Sequence, residues 1–256
     1  MLDKFKEGFQ RLVRFQDKVM GVHPTFRYSY PVALVEDQQF LIYDRLPGKP
    51  TYKLVKNAPV PMPIPEGVRA AFPLDDYNGR MAAVVTPAVF DSSDGLVMIL
   101  HEFVHCYQFS TCEQELKMSL DIAKQARETN DMMWELEYPF PYTARAFVRG
   151  YGHFLDALGE GNEAGVIQAR GELRAYLGLH DLEYMAWQEW KEGLARWVEN
   201  CLQRTLGLPE NKRGAKQPFS RVSFYAGGAA YITFLSAQNP LLANDLPELF
   251  SRIYND

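Results

Sequence analysis

Two histidines and a glutamate near the middle of the chain have the spacing of a metal-hydrolase motif. His101-Glu102-Phe103-Val104-His105 matches the pattern HExxH. On a helix, residues four apart lie on one face and one turn apart, so both imidazoles can bind the same metal ion. Glu102 lies about 100° further round the helix, where its carboxylate can take a proton from water at the metal. The motif therefore predicts a Zn²⁺ site with Glu102 as the general base.

The same spacing also fits two histidines on a helix face that is solvated, or two that only form hydrogen bonds. The neighbouring residues favour the metal site, because they predict a helix over 93–109 with opposite apolar and polar faces. The predicted apolar face consists of Leu96, Ile99, Leu100, Phe103 and Tyr107. His101, His105 and Gln108 share the other face. Cys106 lies on the apolar side, so we expect it to pack rather than to bind metal.

A catalytic zinc site needs a third protein ligand, with the fourth position left to water. No histidine follows closely after His105, so we expect the third ligand to be a carboxylate from another helix. We predict Glu192, on the polar stripe of a helix over 181–206. Gly193 and Ala195 are small, which would let a second helix approach closely. Glu189 and Glu199 lie in the same stripe and are the alternatives.

Three segments, taken in order, resemble those of the gluzincin metallopeptidases, the group that includes thermolysin-like and aminopeptidase-like enzymes. The segments are HExxH at 101–105, E-G-x-A at 192–195 and Y-x-x-G at 225–228. The resemblance implies a zincin-like fold with His101, His105 and Glu192 as zinc ligands and Glu102 as general base. It also implies that Tyr225 stabilises the oxyanion of the tetrahedral intermediate.

The chain also departs from the gluzincin pattern. The interval from His105 to Glu192 is longer than in compact gluzincins, so we expect an inserted helical subdomain at about 113–178. Thermolysin-like members have an acid four residues after the ligand glutamate, and Arg196 takes that position here. His153 is a second candidate for oxyanion stabilisation, and Arg149 and Arg221 are candidate contacts for a substrate carboxylate.

The elements that must position these residues are predicted in the order helix, strands, helices along the chain. One amphipathic helix is predicted over 1–20, followed by short β-strands between 25 and 87. The predicted strands are Phe26–Tyr30, Ala33–Val35, Phe40–Tyr43 and Arg80–Val85. Helices follow near 93–109, 113–128, 142–158, 162–177, 181–206, 220–236 and 245–254. This order predicts an α+β fold, with a small N-terminal sheet subdomain at 1–90 and a mainly helical subdomain at 91–256 within a single catalytic unit.

The strand at Arg80–Val85 ends shortly before the HExxH helix. In the gluzincin arrangement an edge strand in this place pairs with the extended peptide substrate, which is a form of β-augmentation. We therefore predict that Arg80–Val85 is the substrate-binding edge of the sheet.

The composition and charge of the chain limit the kinds of molecule that it is expected to bind. The formal net charge is −5, which gives no electrostatic basis for binding nucleic acid or an anionic membrane. The longest apolar stretch, Val222–Leu235, is shorter than the roughly 20 residues that a bilayer requires. Three cysteines without a CxxC pair argue against a disulfide scaffold. We expect a soluble, cytoplasmic protein whose oligomeric state the sequence leaves open.

The sequence as a whole predicts a zinc-dependent hydrolase that cleaves peptide bonds in a peptide or protein substrate. The first alternative is a module on the same fold that binds a protein partner without cleaving it. The second alternative is hydrolysis of a non-peptide amide, which the same metal and glutamate pair would support.

Overall fold

The protein has an α+β fold, as the sequence predicted. The computed structural model describes residues 4–45, 49–61 and 64–255. The strands are β1 (Val32–Glu36), β2 (Gln39–Asp44), β3 (Lys53–Pro59), β4 (Arg69–Leu74) and β5 (Arg80–Val85). The helices are α1 (Lys6–Val19), α2 (Ser93–Gln108), α3 (Gln114–Ser119), α4 (Asp121–Glu128), α5 (Trp134–Glu137), α6 (Arg145–Glu160), α7 (Glu163–Tyr176), α8 (Leu179–Leu206), α9 (Arg221–Gln238) and α10 (Leu246–Asn255).

The chain divides into two compact units. The first contains the described residues up to Ser110 together with Val198–Glu210, and the second contains Thr111–Trp197 and the residues from Asn211 onward. The HExxH helix α2 therefore groups with the sheet, whereas the sequence had placed it with the helical part. Helix α8 contributes residues to both units.

The first unit is built on a mixed five-stranded sheet with the order β3-β2-β1-β5-β4. β1 and β5 run parallel, and the other neighbouring pairs are antiparallel. Helix α2 packs against β4 and β5. Helix α1 contributes Phe9, whose ring stacks at 4.3 Å on Tyr43 of β2 and at 5.0 Å on Tyr52. The opposite face of the sheet buries Ala33, Phe40, Ile42, Leu74, Ala82 and Val84.

The prediction that Arg80–Val85 forms the edge of the sheet is wrong. This strand is β5, and it pairs with β1 on one side and with β4 on the other. Its backbone groups are therefore already used in the sheet and cannot pair with a peptide. β5 was predicted to be an edge because β4 was not predicted: two of the six residues of β4 are alanines and a third is Pro73, so the segment lacks the apolar alternation of a typical strand.

Two further predictions about elements need correction. The segment Phe26–Tyr30 is not a strand, because Pro24–Arg27 forms a short 3₁₀ helix whose first turn is capped by the His23 side chain. The helix expected at 113–128 is two helices, α3 and α4, separated at Leu120. A π-helical turn at Phe109–Glu113 comes between α2 and α3. The remaining predicted helices are present, although the first three residues of the N-terminal one lie outside the described residues.

The second unit is helical. Helices α6 and α7 form a hairpin, in which the Asn162 side chain caps α7 by accepting a hydrogen bond from the Gly165 N–H at 3.0 Å. The aromatic core of the second unit contains Phe140, Phe147, Tyr151, Tyr184 and Phe224. Within the described part of the chain, no helix is both long enough and apolar enough to cross a bilayer.

Candidate metal centre

The HExxH motif lies within a well-defined helix. Ser92 caps α2, with its side chain accepting a hydrogen bond from the Gly95 N–H at 3.0 Å. His101 and His105 are 4% and 7% exposed, and Glu102 is also buried. The histidines therefore do not lie on a solvated helix face, whereas the alternative that they only form hydrogen bonds stays open. Cys106 is fully buried, in agreement with its predicted packing role.

Each histidine of the motif has its Nδ1 atom held by an oxygen. The Nδ1 of His101 lies 3.0 Å from Oε2 of Glu199, and the Nδ1 of His105 lies 2.9 Å from Oε1 of Gln108. A carboxylate and an amide carbonyl only accept hydrogen bonds, so each Nδ1 carries the proton. In the neutral imidazole the lone pair then resides on Nε2, which is the form that binds a metal ion.

The structure brings the three predicted ligands together. His101, His105 and Glu192 each offer a ligand atom within 4.8 Å of the other two. They are the single group of three such residues found among the residues that the structure describes. Two imidazoles and a carboxylate form a donor set that suits Zn²⁺, and the orientation of both rings agrees with it. Other divalent ions also accept these ligands.

The two alternative third ligands have other contacts. Glu189 is fully buried, pairs with Arg170 at 2.7 Å and accepts a hydrogen bond from the Tyr151 hydroxyl at 3.1 Å. Its carboxylate therefore already has an ion-pair partner and a hydrogen-bond donor in the interior of the second unit. Glu199 holds His101, as described above. Of the three glutamates in the stripe, Glu192 is the one found in the ligand cluster.

A close crossing of two helices places Tyr225 beside Glu192. A Cβ atom on Gly193 of α8 would lie 2.7 Å from the Cα of Gly228 on α9, which is closer than real Cβ contacts allow. Glycine at both positions thus lets the two backbones meet, as the small residues beside Glu192 predicted. Tyr225 precedes Gly228 by three residues and Glu192 precedes Gly193 by one, so their side chains converge near this crossing.

The Tyr225 hydroxyl is held as a neutral hydrogen-bond donor. Burial, the negative charge of Glu192 and a hydrogen bond to Glu192 raise the pKa of Tyr225 well above its ordinary value, against an opposing effect of Arg221. The guanidinium groups of Arg196 and Arg221 lie 5.7 and 5.5 Å from the centre of its ring. Arg196, which occupies the position of the acid in thermolysin-like proteins, thus lies over the Tyr225 ring.

His153 lies elsewhere in the second unit. It is exposed on α6 and lines a surface groove with Arg145 and Arg149, and the residues lining that groove include neither Glu192 nor Tyr225. No contact in the described part of the chain supports its suggested part in oxyanion stabilisation, which stays a prediction. The suggested contacts of Arg149 and Arg221 with a substrate carboxylate stay predictions as well.

Two residues, Gln108 and Glu199, were noted in the sequence without the role of supporting the histidines that the structure shows. Gln108 follows His105 by three residues, so both lie on the same helix face. Glu199 follows Glu192 by seven residues, which places the two carboxylates within about 20° of each other and about 10.5 Å apart along the helix. A search for hydrogen-bond partners of each ligand at these spacings would have found both.

Comparison of the chain with known protein families, curated proteins and solved structures finds no significant match. The likeness to gluzincins therefore rests on the motif residues and their order along the chain.

Proposed function

We propose that this protein is a zinc-dependent hydrolase that cleaves peptide bonds. The observation that carries the proposal is the convergence of His101, His105 and Glu192. The hydrogen bonds that orient both imidazoles support it, since a metal-binding histidine ordinarily donates its other ring N–H to an oxygen acceptor. A Zn²⁺ ion in a site with three protein ligands lowers the pKa of water towards neutrality and polarises a carbonyl group.

The residues of the chain have separate parts in the proposed reaction. Glu102 takes the proton of the attacking water and passes it to the leaving nitrogen. Tyr225 has a protonated hydroxyl that donates to Glu192 in this structure and would donate to the developing oxyanion during the reaction. Glu199 and Gln108 fix the ring orientations of the two histidines. The order HExxH, E-G-x-A and Y-x-x-G favours a peptide substrate over another amide.

The metal site is tested by elemental analysis of protein purified without chelators or a metal-affinity column. We expect about one zinc per chain in the wild type, because the site contains three protein ligands. Glu192→Ala should lose most of it, whereas Glu160→Ala, which removes an exposed glutamate from α6, should retain it. A wild-type protein that neither contains nor takes up zinc would contradict the proposal.

The reaction is tested with a peptide library and the variant Glu102→Gln. This variant keeps the shape of the side chain but removes its basicity, so we expect normal zinc content and a loss of hydrolysis by a factor of about 10² to 10⁴. Activity equal to that of the wild type would remove Glu102 from the mechanism. Peptide binding without turnover in the zinc-loaded wild type would instead support the binding module.

A further inference from the structure

A groove on α6, separate from the metal ligands, has an unusual charge arrangement. Its volume is about 390 Å³, and three of its lining residues lie at four-residue spacing on one helix face. These residues are Arg145, Arg149 and His153. Thr143 and Gln217 add a hydroxyl and an amide to the lining. The groove therefore presents several hydrogen-bond donors and two permanent positive charges to the same space.

The two arginines have no ion-pair partner in the described part of the chain. Neither Arg145 nor Arg149 forms an ion pair or a side-chain hydrogen bond there, and both are exposed. Like charges at this spacing destabilise a helix, because the two side chains repel each other. The one acid among the groove-lining residues is Asp156, which lies further towards the C-terminal end of α6.

The order of charges along α6 adds a second unfavourable effect. The helix dipole favours acids in the first turn and bases in the last. Helix α6 has no acid in its first turn and begins with Arg145, while Asp156 and Glu160 lie near its end. The charge order thus opposes the dipole. A bound anion between Arg145 and Arg149 would relieve both the repulsion and the unfavourable orientation.

We propose that this groove binds the phosphate group of a phosphate monoester. Two guanidinium groups match the charge of a phosphate dianion, and their planar N–H groups suit its oxygens. The Thr143 hydroxyl, the Gln217 amide and the His153 ring supply further hydrogen-bond donors beside them. Gly152 also lines the groove, and a Cβ atom there would meet nothing within 4 Å, which leaves room for the ligand. This site is independent of the proposed metal centre.

The test is a titration of the full chain with inorganic phosphate at constant ionic strength, followed by calorimetry or by NMR of the backbone amides. We expect saturable binding with a Kd on the order of 1 mM, and tighter binding of phosphoserine-containing peptide than of its unphosphorylated form. Tighter binding of a small phosphate ester than of the phosphopeptide would identify a small molecule as the source of the phosphate group.

Three variants separate binding from folding. Arg149→Gln should weaken phosphate binding roughly tenfold, because it removes one of the two charges. Arg127→Gln removes an exposed arginine from α4 in the same unit and should change nothing. Gly152→Leu fills the groove with a residue of higher helix propensity, so it should abolish binding while the Tm is unchanged or raised. Absence of saturable binding in the wild type, or equal binding by wild type and Arg149→Gln, would overturn the proposal.

Discussion

The two histidines of the motif are supported by chemically different partners. His101 donates to a carboxylate, Glu199, whereas His105 donates to a neutral amide, Gln108. Both partners are nearly inaccessible to solvent. A carboxylate withdraws the Nδ1 proton more strongly and makes the opposite nitrogen a better electron donor, so the two imidazoles should differ in their strength as ligands.

Exchanging the charge of these partners should shift zinc affinity in opposite directions. Glu199→Gln keeps an oxygen acceptor but removes the charge, so we expect zinc affinity to fall about tenfold or more. Gln108→Glu supplies a second carboxylate and should raise the affinity. Competition with a chromogenic chelator measures both, with Glu160→Gln as the control. Two variants that both weaken zinc binding by the same factor would mean that only packing matters at these positions.

The Tyr225 hydroxyl provides a second residue-level prediction, which rests on the proposed hydrolase activity. Tyr225→Phe removes the hydroxyl but retains the ring beside Arg196 and Arg221. We expect zinc content to be preserved and kcat to fall by a factor of about 10² to 10³, as for the loss of one oxyanion donor. Steady-state kinetics with the best library peptide measures the change. An unchanged kcat would leave Tyr225 with the sole task of orienting Glu192.

At the scale of elements, the crossing of α8 and α9 determines where Glu192 and Tyr225 lie. Gly193→Ala would place a Cβ atom against the backbone of Gly228, so the helices must separate. We expect a loss of about 1–3 kcal/mol in the free energy of unfolding, as for other overpacked sites, together with weaker zinc binding. Gly171→Ala is the matched control, because a Cβ there in α7 meets nothing within 4 Å. Urea denaturation compares the two, and equal stability would show that the crossing tolerates a methyl group.

The elements differ in how well the sequence predicts them, and the reasons are physical. Helices α2 and α8 were predicted closely because each has long apolar periodicity that no competing pattern disturbs. Strand β4 was missed because Ala70, Ala71 and Pro73 give it little strand propensity, and its place in the sheet comes from pairing with β5. The prediction of an open edge at β5 failed as a consequence, since an edge is a property of neighbours and not of the strand itself.

The part of the candidate site that could be predicted is the part in which metal binding requires a fixed spacing of residues along the chain. HExxH places two imidazoles on one helix face, and the need for a third ligand led to Glu192. Glu189 lies in the same polar stripe, and Glu192 was preferred for its small neighbours and the E-G-x-A segment. The structure adds a tertiary contact that the sequence does not show: Arg170, nineteen residues before Glu189, pairs with Glu189 in the interior. Such a pairing depends on how the hairpin of α6 and α7 meets α8.

At the scale of the whole molecule, acid sensitivity should depend on a cluster of charges in the second unit. Lys191 on α8 lies 2.8 Å from both Glu113 and Glu135, so one ammonium joins the π-helical turn to α5. Lys117 pairs with Glu135 as well. Partly buried pairs of this kind are costly to break singly, because the remaining charge keeps its desolvation cost without a partner.

The shifted pKa of Glu135 determines the direction in which stability changes with pH. Burial alone would raise the pKa of its carboxyl, but the charges of Lys191 and Lys117 and their hydrogen bonds lower it to about 2. The folded state thus holds this proton less tightly than the unfolded state, whose carboxyl titrates near its ordinary pKa of about 4.3. The stabilisation is therefore fully present above that pH and is lost progressively as the pH falls towards 2, by at most about 3 kcal/mol.

The variant Glu135→Gln isolates the pH-dependent stabilisation that comes from Glu135. At pH 7 it should be less stable than the wild type, because Lys191 and Lys117 lose a partner. Between pH 4.5 and about 2 its stability should fall less steeply, since the group that takes up the proton is gone. Urea midpoints measured across this range, with Glu137→Gln as the exposed control, separate the effect from the titration of other carboxyls. A variant whose midpoints fall in parallel with those of the wild type would show that the acid sensitivity of the fold arises at other carboxyls. In that case the ion cluster would fix the position of α5 against α8 without making folding depend on pH.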